Sequence, residues 1–103
     1  MDWLAWFRIV AYRDVHEVPR HVLATNDAGD QFWILDAGID DASDASIYTI
    51  HDAGRDLDAA TALFEQDAGA STALAAFGCI PVAHVQFDET RRGALKLTSP
   101  PIT

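Results

Sequence analysis

Residues 3–12 carry apolar side chains on both alternating sets of positions. As a strand, this stretch puts Trp3, Ala5, Phe7, Ile9 and Ala11 on one face and Leu4, Trp6, Arg8, Val10 and Tyr12 on the other. Two apolar faces fit a strand that is covered on both sides. Trp3, Trp6 and Phe7 also have i, i+3, i+4 spacing, so a first helical turn competes with that reading. Residues 13–20 are charged and end near Pro19, which lacks an N–H and suits an edge or a loop end. They read as a turn. Arg20 to Thr25 and Gln31 to Ala37 are the clearest strands, joined by a hairpin loop over residues 26–30 in which Gly29 is available for φ > 0. Gly38 to Ser46 is rich in Asp and Ser and reads as a loop. Ile47 to His51 alternates again as a fourth strand.

From Arg55 the period changes. Leu57, Ala60, Leu63 and Phe64 recur at helical spacing, with Asp56 or Asp58 as N-cap and Gly69 as the stop. Ser71 can cap a second short helix, Thr72 to Phe77, closed by Gly78. Ile80 to Phe87 then reads as a fifth strand. The end is charged, then Pro-rich, and reads as a surface tail. The pattern predicts a mainly β, α+β domain over residues 1–97 with a tail over 98–103. Its five antiparallel strands form a meander curled into a small partial barrel, with one or two short helices before the last strand. A helical turn before a last strand opening Gly78-x-Ile80-Pro81 resembles the arrangement of SH3-type barrels over about ten residues, a likeness of fold and not of function. The aromatic and acidic groove that binds proline peptides in that family has no counterpart here.

Ala68 to Phe87 runs without a formal charge for about the length that spans a bilayer. Gly78 and Pro81 interrupt it, so it reads as a helix and a strand in a core rather than a membrane span. Met1 to Tyr12 carries Asp2 and Arg8 and lacks a basic leader, which argues against a signal peptide.

Three segments taken together resemble a family of small uncharacterised bacterial proteins. They are Tyr12-Arg13-Asp14 followed by Val18-Pro19-Arg20, then Phe32 to Asp36, then Ile80-Pro81-Val82 with Val85-x-Phe87-Asp88. The chain departs from that pattern at Val15-His16, where an aromatic pair is expected, and in extra Ala- and Asp-rich residues between 53 and 72. The resemblance implies no activity and carries over no functional residue.

Composition narrows the picture. With 103 residues, half of them apolar, one core in one domain is expected. A single Cys rules out an intrachain disulfide and favours a reducing cytoplasm. The net charge of −9 argues against nucleic acid as partner. Its location says more. Residues 1–26 hold three acids and three bases, whereas residues 27–58 hold nine Asp against Arg55 alone. The remaining chain is close to neutral, with four acids and three bases. Asp27, Asp30, Asp36, Asp40, Asp41 and Asp44 are therefore candidates for one acidic face that steers a basic protein partner.

Other chemistry is sparse. His16, His21, His51 and His84 show no metal-ligand spacing, and Asp40, Asp41 and Asp44 lack the central Gly and terminal Glu of a calcium loop. No metal or cofactor is assigned. Cys79 and His84, an odd number of residues apart on one strand, would face opposite ways. No nucleophile elbow or phosphate loop is present, so no catalytic residue is named. Four Asp-Ala-Gly tripeptides, beginning at Asp27, Asp36, Asp52 and Asp67, read as turn chemistry. The alternative to a binding module is a small-ligand binder or enzyme, with a pocket lined by Trp33, Tyr48 and His51 and with Asp36 or Asp52 as acid/base. Trp3 and Trp6 are candidates for a homodimer face, because the first strand leaves one apolar side in need of cover.

Overall fold

The computed structural model describes residues 4–16, 18–40, 45–65, 76–90 and 93–101. Its strands are β1 (Trp6–His16), β2 (Val18–Thr25), β3 (Phe32–Asp40), β4 (Ala45–Gly54), β5 (Ala76–Pro81), β6 (Val85–Phe87) and β7 (Ala94–Leu97). One helix, α1 (Leu57–Glu65), lies between β4 and β5, and a 3₁₀ turn, Val82–His84, joins β5 to β6. All strands belong to one antiparallel sheet in the order β5-β4-β3-β2-β1-β7-β6.

The expected five strands become seven for two reasons. The Ile80 to Phe87 stretch is not one strand: the 3₁₀ turn divides it into the end of β5 and the whole of β6. The segment Ala94–Leu97, expected to lead into a surface tail, pairs with both β1 and β6 and buries Leu95 and Leu97 completely. Residues 13–20, expected as a turn, instead extend β1 to His16 and start β2 at Val18, with Val15 opposite Pro19. The pairing runs on to His16 opposite Val18, so the charged positions belong to the two strands. The expected loop 38–46 shrinks likewise, as Ile39 pairs with Ser46 and Asp40 with Ala45. Of the predicted helix over 72–77, Ala76 and Phe77 lie in β5, and the rest falls outside the described residues.

The sheet curls into a half-barrel. Ile80 of β5 and Val85 of β6 sit at opposite ends of the strand order, yet both join one buried cluster with Phe7, Val22, Leu35, Tyr48 and Leu95. That cluster fills the concave face. The pairing register shifts at Ile9/Ala11, Phe32/Trp33 and Ile50/His51, which interrupts the regular ladder at three points of the curled sheet.

The convex face carries a second cluster, in which Leu23, Phe32, Ile34 and Ala53 are covered by Ala60 and Phe64 of α1. The helix starts where Asp56 caps it: the Ala59 N–H donates to Asp56 Oδ2 at 3.1 Å and the Ala60 N–H to Asp56 O at 2.9 Å. Ala60 and Phe64, four residues apart, face the sheet, while Leu57 is left exposed. At the other end, Arg13 Nη2 donates to Phe64 O at 2.8 Å, and its guanidinium lies 5.0 Å from the Phe64 ring centroid. Among the described residues no helix is long and apolar enough to cross a membrane.

Candidate functional site

Among the described residues the acidic positions do not share one face. β3 is nine residues long, so the Phe32 and Asp40 ends of it stand about 26 Å apart at ~3.3 Å per residue. Asp27 and Asp30 lie in the β2–β3 turn at one end, whereas Asp40 closes β3 at the other. Asp41 and Asp44 lie outside the described residues, as does Trp3. Asp36, in mid-strand, belongs to neither end.

The β2–β3 turn is fixed by its own hydrogen bonds. Asn26 Nδ2 donates to Asp30 Oδ1 at 2.7 Å, and the Asp30 N–H returns to Asn26 Oδ1 at 3.1 Å. The Gly29 N–H donates to Asn26 O at 3.0 Å with φ +73°, which only glycine adopts without strain. Thr25 Oγ1 donates to Gln31 O at 2.9 Å. Gln31 Nε2 then reaches across to Asp52 Oδ1 at 2.7 Å, and the same oxygen accepts the Gly54 N–H at 2.8 Å. The turn is thus tied to the end of β4, which leads to Asp56 in the β4–α1 connection and Asp58 in the first turn of α1, both exposed. Five carboxylates (Asp27, Asp30, Asp52, Asp56 and Asp58) are exposed at this end, together with the guanidiniums of Arg8 and Arg55.

Beside the turn is a hollow of about 160 Å³ lined by Trp6, Phe7, Arg8, Asn26, Asp27 and Ala94. It is smaller than the roughly 300–1,000 Å³ of a typical small-molecule site. Trp6 is 45% exposed there, and Lys96, its partner across β1 and β7, holds Nζ 6.0 Å from the indole centroid.

The three residues of the expected pocket are not brought together. Trp33 and Tyr48 belong to the concave core, whereas His51 lies opposite Ile34 on the convex side, because neighbours along a strand alternate faces. Tyr48 is fully buried, and its hydroxyl donates to Pro19 O at 2.5 Å. Burial pushes its pKa from 10.0 up to about 12, against a smaller downward pull from the Arg20 charge. Asp52 faces the turn, and of the two candidate acids only Asp36 approaches His51.

A polar row on the convex face is the feature that motif spacing did not show. Arg13 pairs with His21, His21 with Asp36, Asp36 with Thr49, and Thr49 with Cys79, so one line of side chains crosses β1 to β5. His21 Nδ1 donates to Asp36 Oδ1 at 2.5 Å, and His51 Nε2 stands 3.6 Å from Asp36 Oδ2. His51 is buried, and its Nδ1 has no hydrogen-bond partner. The chemistry available is an oriented imidazole on a half-buried carboxylate. The signal was in the hairpin itself: a chain reversing at Ala28-Gly29 sets residues equidistant from the turn opposite each other, and His21 and Asp36 are such a pair. Among the described residues no group of three or more His, Cys, Asp and Glu is placed to hold a metal ion. His84 is in the 3₁₀ turn rather than on one strand with Cys79, and its Nδ1 lies 3.3 Å from Ser99 Oγ.

Comparison with protein-family models, with curated proteins and with solved structures finds no match to this chain.

Proposed function

We propose that the protein is a small binding module that docks a basic protein partner on the end of the half-barrel formed by the β2–β3 turn and the β4–α1 connection. The observation that carries this reading is the fixed display of exposed carboxylates at that end. Asp27 and Asp30 stand on a turn held by internal hydrogen bonds, and Asp52 and Asp56 are held by bonds to backbone and Gln31. Carboxylates presented on a rigid frame cost little ordering entropy on binding, and their field speeds encounter with a cationic surface. Arg8 and Arg55 dilute that field without reversing it. Size and charge suit one concrete version, a protein that masks a basic active site as immunity proteins and antitoxins do.

The half-barrel is taken to be of SH3 type. In support, Gly78-Cys79-Ile80-Pro81 leads through the 3₁₀ turn Val82–His84 into the short β6. An experimental structure that fails to superpose on such barrels over β1–β6 would remove that part of the reading.

The functional test is affinity capture at about 50 mM and about 500 mM salt, with the native chain and with an Asp27→Asn/Asp30→Asn/Asp58→Asn variant. A basic protein retained at low salt by the native chain alone supports the reading. Identical captures from both chains sink it.

A further inference from the structure

We propose that the hollow beside the turn receives one Arg or Lys side chain of the basic partner, stacked against Trp6 and paired with Asp27, while Arg8 donates to a main-chain carbonyl next to it. This rests on the acidic-end reading and adds to it the point at which the partner is gripped.

The lining argues for this occupant. Trp6 is an aromatic surface left half open at the edge of a charged turn, and exposed indoles in small hollows are the anchors of many protein interfaces. Lys96 Nζ, 6.0 Å from the indole centroid, sits at the outer limit of a cation–π contact, and the incoming cation takes its place on the ring. Arg8 and Asp27 both line the hollow, and among the described residues no ion pair joins them. Neither charge is therefore cancelled by the other. A volume of about 160 Å³ suits one side chain. Asp30, across the turn from Asp27, adds a second carboxylate that offsets the charges of Arg8 and Lys96 beside the hollow. A basic peptide segment supplies both groups the hollow can take: a cationic side chain for Trp6 and Asp27, and a carbonyl for Arg8.

The probe is an octa-arginine peptide titrated into the full chain carrying Trp3→Phe, which leaves Trp6 and the buried Trp33 as its indoles. Emission should change on binding, and added salt should reverse the change. Calorimetry should show affinity falling about tenfold in Trp6→Ala and about threefold in Asp27→Asn, with Trp6→Phe in between. Asp27 is exposed, so its variant keeps the fold, and thermal melts check all three. Unchanged affinity in Trp6→Ala, with binding lost in Asp27→Asn/Asp30→Asn/Asp58→Asn, overturns the hollow and leaves the acidic end standing. No low-salt binding by any chain overturns both. Sedimentation as a dimer that shields Trp6 overturns the hollow as a partner site in favour of a second copy of the chain.

Discussion

The concave face and the turn end of the half-barrel are built on opposite plans. The concave face is apolar and closed, and its buried Tyr48 hydroxyl is satisfied by Pro19 O. The turn end is charged and open, and its order comes from hydrogen bonds among Asn26, Asp30, Gln31, Asp52 and Gly54 rather than from burial. Burying apolar surface holds the fold, while short polar bonds hold charges in place without hiding them. Substitutions should therefore separate cleanly: concave residues change stability and leave binding intact, and turn-end residues do the reverse.

The largest effect is expected at Leu95, which is fully buried between β1 and β6. Leu95→Ala should cost about 2–5 kcal/mol in urea unfolding, from lost transfer energy and the cavity left behind. A loss under ~1 kcal/mol would mean that β7 is not part of the core.

Next is Asp36, which lies in mid-strand on the convex face, outside both regions. Asp36→Asn removes the charged partner of His21 and should cost about 1.5 kcal/mol at neutral pH. If the unfolding midpoint does not move, the polar row contributes nothing to the fold.

Tyr48→Phe should cost about 1 kcal/mol, because Pro19 O loses its donor inside the core. The tyrosine also gives an alkaline signature. Its folded pKa is raised above the ordinary 10.0, so the folded state holds that proton more tightly than the unfolded state does. The resulting stability is complete below pH 10 and is lost as pH rises toward about 12. The native chain should lose stability in that window faster than Tyr48→Phe, as alkaline unfolding curves would show. Parallel curves for the two chains would contradict the assignment.

The smallest stability effect belongs to the turn. Asp27→Asn should stay within about 0.5 kcal/mol of the native chain in thermal unfolding, since the side chain is exposed. A larger loss would show that the turn end carries fold energy after all and would blur the comparison.

Much of this frame was legible in the chain, and the misses have physical causes. The β2–β3 hairpin could be read because polar, Gly-containing residues interrupt two alternating runs. β7 was hidden because Leu95 and Leu97 alternate over only four residues, directly after a charged stretch. Its burial depends on pairing with the distant β1, which no local pattern reports. Residues 13–20 looked like a turn because charge and Pro19 outweighed a short alternation that the sheet then completed. For the site, charge could be counted by position, but the length of β3 decided that Asp27 and Asp40 stand at opposite ends. The grouping of Trp33, Tyr48 and His51 failed on register, since the first two face the core and the third faces the helix side. The same register that broke that grouping made the His21–Asp36 pair.

The most direct measurement of the central claim sets the acidic turn end against the Asp residues of positions 40–44. The affinity of the captured basic partner would be followed against salt for Asp27→Asn/Asp30→Asn/Asp58→Asn and for Asp40→Asn/Asp41→Asn/Asp44→Asn. The account predicts that the first variant loses both affinity and salt dependence while the second retains both. Loss confined to the second variant would move the docking surface away from the turn end and contradict the account.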